Sequence, residues 1–187
     1  MSEQLTAPLA PTPSAGEPRR GWSLLLPYVR QALLIVAIFA VAGVLAGVVW
    51  EWLWTAPTGV VVHHQWLQDE RGLSGEFSGT GLYVLVAAVA GLLVGGTVAV
   101  LLDRSELVTL VAVLGGALLA GWLMSDVGGF LGPADPRSLA ATADTGTHLP
   151  DHLVVAGDSV LRAFPGGALV GLVVVFLGLS RHRATQP

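Results

Sequence analysis

Four stretches of this chain run without a single charged residue: Gln31 to Trp50, Gly81 to Leu102, Leu107 to Ser125 and Phe164 to Ser180. A helix rising about 1.5 Å per residue needs about 20 apolar residues to cross a hydrocarbon core of about 30 Å. Each run therefore matches one membrane crossing, because inside lipid the backbone must satisfy its own hydrogen bonds and only helices or closed barrels do so. Composition agrees: 53% of the 187 residues are hydrophobic and 12% are charged, against about a quarter charged in soluble domains. The mean hydropathy is +0.70.

The expected architecture is an all-α integral membrane protein, four transmembrane helices in two hairpins with a small extracytoplasmic cap. The spans are expected at about 31–54, 81–102, 107–126 and 164–180, within a transmembrane domain over 28–181. Residues 1–27 read as a proline-rich disordered tail and lead-in, with Trp22 to Leu26 lying along the inner surface before Pro27. Residues 182–187 form a second tail. The outer loops fall at about 55–80 and 127–163. In the first, "GVVVHHQW" is β-branched and suits a short strand; in the second, Asp151 to Phe164 has helical periodicity, with Asp158 and Arg162 four apart for pairing.

Orientation follows from arginine, the only basic residue besides histidine. Arg19, Arg20, Arg30, Arg104, Arg181 and Arg183 fall on one side, and Arg71, Arg137 and Arg162 on the other. Short cytoplasmic flanks carry the positive excess, so both termini are expected in the cytoplasm of a multi-pass plasma-membrane protein. The first span is expected to be retained, since the bulky "WEWLW" at its end offers no small-residue cleavage site.

The inventory of chemistry is short. There is no cysteine, hence no disulfide, thiolate metal site or cysteine nucleophile. There is no lysine, hence no P-loop or Schiff-base lysine. A net charge of −4 without a basic patch argues against nucleic acid as a partner. "GLSG" at Gly72 to Gly75 matches the GxSG of rhomboid-like proteases, but Ser74 falls in the expected outer loop and no span holds a histidine. The pair Gly157-Asp158 lacks the second intramembrane aspartate of an aspartyl protease. No catalytic residue, cofactor site or metal site is assigned.

Glu51 stands inside "WEWLW", 21 residues after Arg30 and so about 31 Å along a helix. Asp126 closes the third span about 20 residues after Glu106. Both acids are expected at the outer boundary, as solvated neighbours of the interfacial anchors Trp50, Trp52, Trp54 and Trp122, converging in the bundle mouth to handle protons or cations, or in structural pairing, for example with Arg162. His63, His64, His148 and His152, with Asp151, hold the residue types of a zinc site, but Pro150 interrupts a helical spacing and no HExxH is present.

Small residues four apart recur in every span: Gly43/Gly47, Gly91/Gly95, Ala117/Gly121 and Gly167/Gly171. Such strips let helix backbones approach closely in lipid, where hydrophobic drive between helices is weak. They serve the bundle's own packing, or self-association, or docking of a partner. "AGVLAGVVWEW" and "GGALLAGWLMSD" share an order of small residues, tryptophan and acid, which suits either a two-plus-two duplication or the chance similarity of apolar helices.

The arginine-flanked first span ending "GVVWEWLWTAPTG", the outer loop and then "FSGTGLYVLVAAVAGLLVG" resemble a group of four-span membrane proteins of high-GC Gram-positive bacteria, known as a domain of unknown function. The resemblance covers roughly residues 28–180, and an alphabet rich in Ala, Val, Gly and Leu with no lysine suits such a genome. It implies topology and location and supplies no catalytic residues. The leading expectation is a non-catalytic accessory or scaffold subunit of an envelope or transport complex, in contact with lipid and with a partner protein or further copies of itself. The alternatives are a small oligomeric transporter or channel using Glu51 and Asp126, and an envelope enzyme with a His/Asp metal site.

Overall fold

The computed structural model describes residues 20–68, 70–101, 106–155 and 157–184. Residues 1–19, residue 69, residues 102–105 where the sequence predicts a tight hairpin turn, residue 156 and the last three residues lie outside the described residues. The chain is mostly helical. Its order is α1 (Arg20–Leu53), β1 (Thr58–Val62), β2 (Gln65–Leu67), α2 (Glu70–Leu101), α3 (Glu106–Leu131), α4 (Pro136–Ala140), β3 (His148–Pro150), a 3-10 turn (Asp158–Arg162) and α5 (Ala163–Ala184). Four of these helices, α1, α2, α3 and α5, are long and apolar enough to cross a membrane.

The connection between α1 and α2 and that between α3 and α5 lie at the same end of the bundle, because β1 pairs with both β2 and β3 in one antiparallel sheet of order β2-β1-β3. Consequently α1 runs parallel to α3, and α2 parallel to α5. These parallel pairs make the dominant helix contacts. Along α1 and α3 the close approaches join residues 77 apart: Phe39 with Gly116, Gly43 with Ala120, Gly47 with Met124. Along α2 and α5 they come in reciprocal pairs, 73 and 79 residues apart, which a shift of 76 interconverts. A methyl on Gly91 would strike the Phe164 carbonyl and one on Gly167 the Ala88 carbonyl; likewise Gly95 meets the carbonyl of Ala168, and Gly171 that of Leu92. A rotation that carries 91 onto 167 and 95 onto 171 exchanges these contacts, so the bundle is two helical hairpins related by a pseudo-two-fold axis along the helices.

The core between the pairs is filled by Ile35, Phe39, Trp50, Tyr83, Val113, Met124 and Phe164, all inaccessible to solvent. Phe39 meets Phe164 edge to face at 6.2 Å, and Trp50 meets Tyr83 likewise at 5.1 Å. Buried polar side chains reach across elements at two places. The Tyr83 hydroxyl donates to the Gly121 carbonyl at 2.7 Å, and the Gln31 amide donates to the Thr109 hydroxyl at 3.0 Å. Each bond joins helices from different hairpins and holds them in register.

Several elements differ from the sequence expectation. The segment Trp22 to Leu26 is not a surface lead-in: α1 is continuous from Arg20, and Pro27, its eighth residue, removes one backbone donor without ending it. α2 starts at Glu70, eleven residues ahead of Gly81, so Ser74 is helical rather than in a loop. Gly75 and Gly79 within it are sites of close approach and not turn formers. A side chain on Gly75 would meet the Pro57 ring, and one on Gly79 the Trp54 indole. Asp151 to Phe164 is not a helix either. Its helical part is only the 3-10 turn, preceded by Gly157 at φ 90° and running straight into α5. The Asp151 side chain accepts from the N–H of His152, a local bond that competes with helix formation. The side chain of Asp158, expected to pair with Arg162, lies outside the described residues.

Candidate functional site

The polar chemistry gathers where the small sheet sits on the bundle. β1 and β2 are joined by a two-residue turn, since Val62 pairs with Gln65. Its central residues His63 and His64 have φ of 50° and 62°. Two consecutive positive φ values make the turn whose twist matches a hairpin. The Val61 side chain packs inward and is fully buried. The opposite loop is stitched to this hairpin: Gly146 N–H donates to the Val61 carbonyl at 2.8 Å, Val61 N–H to Thr147 at 2.9 Å, and Asp151 N–H to Pro57 at 2.8 Å.

Asp151 is the pivot of the junction, a carboxylate only 2% exposed. Its Oδ2 accepts from the Gln68 amide at 2.7 Å, while Oδ1 accepts from the His152 N–H at 2.8 Å and faces His152 Nδ1 at 3.1 Å. Burying a carboxylate is costly unless donors surround it, and here donors from both loops do so. The imidazole tautomer that fits is the one with hydrogen on Nδ1.

Beneath this pivot lies a partly open cavity of ≈ 220 Å³. Trp54 from the end of α1 and Gly79 and Thr80 from α2 form its bundle side; Arg137 of α4 and Asp151 to Val154 form the other. The Trp54 indole Nε1 is buried without a hydrogen-bond partner among the described residues. Arg137 is exposed, held near the opening by α4, whose first turn is capped by the Asp135 carboxylate accepting from the Arg137 N–H at 3.0 Å.

The residues singled out in the sequence are dispersed. Trp50 is corrected from an interfacial anchor to a core residue: it is 0% exposed, with its indole N–H donating to the Gly79 carbonyl at 2.9 Å. Trp52 and Trp122 are exposed, at 78% and 55%, and Trp54 is half-buried. Glu51 is half-buried at the end of α1, while Asp126 is exposed and lines a separate shallow groove with Trp122, Ser125 and Leu153 to Val155 that does not include Glu51. Gly43, Gly47, Gly91, Gly95, Gly121, Gly167 and Gly171 all lie against a neighbouring helix or the 3-10 turn, and Ala117 is fully buried. The histidines do not meet. His63 and His64 are at the hairpin tip, His148 is exposed on β3 and His152 faces Asp151; among the described residues no three His, Asp or Glu side chains come together to hold a metal ion.

Missing from the sequence reading as site residues were Asp151 as a buried pivot, Gln68 as its partner and Trp54 as a cavity wall. Asp151 stood among histidines and prolines like any loop acid, and its partner is 83 residues away. Compared with family models, curated proteins and solved structures, the chain gives no match, so its function is read from its own geometry.

Proposed function

We propose that the protein is a non-catalytic, multi-pass integral membrane protein that serves as an accessory or scaffold subunit of an envelope or transport complex. The carrying observation is the bundle itself: large apolar side chains such as Leu33, Leu45, Leu85, Leu93, Val111, Leu118 and Val174 point outward from all four long helices, around a filled core. A continuous apolar surface of this kind is unsuited to water and suited to lipid. Both described ends of the chain emerge opposite the sheet, and the arginine excess assigns that side to the cytoplasm, with the sheet outside as a small cap. The sequence resembles a four-span group of high-GC Gram-positive bacteria, and the plasma membrane of such a bacterium is the proposed location.

The filled core favours a scaffold over a conduit, because Phe39, Phe164, Trp50, Tyr83 and Met124 occlude the axis of a single chain. A transporter working through Glu51 and Asp126 would have to route its substrate between copies. In-cell crosslinking followed by capture of a tagged copy tests the proposal. A membrane-protein partner at defined stoichiometry supports it. Substrate turnover by the purified protein alone, or flux abolished by Glu51→Gln or Asp126→Asn at unchanged abundance, overturns it.

A further inference from the structure

We infer that Trp52, Phe77 and Phe130 form an aromatic collar that seats the base of the cap in the headgroup layer of the outer leaflet, so that the partner of this surface is lipid. The inference rests on the membrane reading above and deepens it, by assigning the side chains that meet the interface. Trp50 fixes their height. Its indole N–H donates to the Gly79 carbonyl of α2 at 2.9 Å, and its ring lies where a side chain on Gly128 of α3 would stand. These three residues therefore share one level of the bundle. Two residues nearer the cap on each helix come Trp52, Phe77 and Phe130, about 3 Å further out. A step of two residues also turns a helix through about 200°, so a residue that follows an inward contact by two projects outward. All three do: they are 78%, 82% and 87% exposed, the most exposed large hydrophobic side chains among the described residues.

Two observations say what covers these rings. First, they are spread around the bundle. Each stands on a different helix, and α1 packs on both α2 and α3, which touch one another little. A protein docked on one side leaves at least one ring in water, whereas lipid surrounds the bundle and reaches all three. Second, the collar continues the apolar surface of the spans. The apolar segment Leu25–Leu53 ends at this level and the segment Phe77–Leu101 begins there, and just below it Val49 and Leu85 are exposed as well. Aromatic rings favour this boundary, where hydrocarbon gives way to headgroups. Trp122, eight residues before Phe130 on α3, lies about 12 Å deeper and belongs to the hydrocarbon side of the collar. The base of the cap, where Pro57 lies against Gly75, is then set among headgroups instead of standing clear of the membrane.

Depth-dependent fluorescence quenching tests the collar. Full-length protein is reconstituted in phosphatidylglycerol–phosphatidylcholine vesicles as single-cysteine variants carrying a nitrobenzoxadiazole label: Trp52→Cys, Phe77→Cys and Phe130→Cys in the collar, Val89→Cys in mid-span and His64→Cys at the hairpin tip. All five positions are exposed, so the labels displace no core packing. Val89 lies ten residues below Gly79, about 15 Å and so near the bilayer centre. The expected result is that a nitroxide at the lipid headgroup removes most of the emission of the three collar labels and a nitroxide deep in the acyl chain removes less. Val89→Cys shows the reverse order. Aqueous iodide, present on both faces, quenches His64→Cys and spares the collar. Collar labels as open to iodide as His64→Cys, with Val89→Cys still quenched by the deep nitroxide, would overturn the collar and leave the membrane reading standing. Collar labels shielded from iodide and from both nitroxides would overturn it too, because protein, such as a second copy, would then cover the rings. A Val89→Cys label that no lipid nitroxide quenches would instead overturn the membrane reading, and the collar with it.

Discussion

Replacing Gly95 or Gly171 by alanine adds one methyl group to an exceptionally tight helix contact, and the geometry sets the consequence. A Cβ on Gly95 would face the Ala168 carbonyl oxygen and lie 2.8 Å from its Cα; one on Gly171 would face the Leu92 carbonyl oxygen and lie 2.9 Å from the Gly96 nitrogen. All of these atoms are backbone, so no rotamer change makes room and α2 and α5 must move apart. Restoring ordinary contacts of about 3.5 Å demands a shift of at least roughly 0.7 Å, since the carbonyl oxygens are nearer still, and a gap of that size forfeits about a quarter to a half of each dispersion contact along the interface. The expected cost is about 1–3 kcal/mol for either substitution. Gly115→Ala and Gly178→Ala are the controls, with nothing within 4 Å of the added atom; they should be neutral or stabilising by up to about 1 kcal/mol through helix propensity. The double variant should cost less than the sum of the singles, because one separation relieves both clashes. Unfolding by sodium dodecyl sulfate titration in mild detergent, followed by far-UV circular dichroism, reads these differences. Gly95→Ala and Gly171→Ala unfolding at the same point as Gly115→Ala would refute the packing.

Three further outcomes are expected. Trp50→Phe removes the indole bond to the Gly79 carbonyl and should cost about 1–2 kcal/mol, while Trp50→Ala, which also empties the core beside Gly128, should cost about 3–5 kcal/mol in the same titration. Asp151→Asn turns a charged acceptor serving Gln68 and His152 into a neutral one and should loosen the sheet from the bundle, so limited proteolysis should cut within 55–69 or 141–150 faster than in the wild type, with the helices left intact. The paired change His63→Asn and His64→Gly places residues that favour positive φ at the hairpin turn and should stabilise it by about 1 kcal/mol, seen as slower amide exchange at Val62 and Gln65.

The four long helices were legible because a charge-free apolar run of membrane length has few other solutions, and the β-branched run before His63 signalled a strand for a similarly local reason. Less local features were hidden. Trp50 and Trp52 sit in the same five-residue motif, yet one is core and the other exposed; the difference depends on which helix face meets α2 and α3, and a tryptophan cluster at a span's end reads equally as belt or core. "GLSGEFSGTG" looked like a loop because glycine and serine favour turns, whereas here small residues admit Pro57 and Trp54 against a helix. The internal similarity matched Trp50 with Trp122 in order only, whereas the fold sets Trp50 against Gly128 and shows its reciprocal contacts between the glycines of α2 and α5. For the candidate site, Asp151 and Gln68 had no visible relation until the sheet joined their loops, since neither lies in a motif that names its partner.

Cysteine labelling in intact cells tests the central claim most directly, and the chain offers a clean background because it has no cysteine of its own. One variant carries His64→Cys at the hairpin tip, and a second carries a single cysteine appended after Pro187. The account predicts that a membrane-impermeant maleimide labels the first in intact cells and the second only after the membrane is opened. Labelling of the appended cysteine in intact cells with protection of His64→Cys would invert the orientation, and equal labelling of both before and after lysis would contradict a bundle that spans the bilayer.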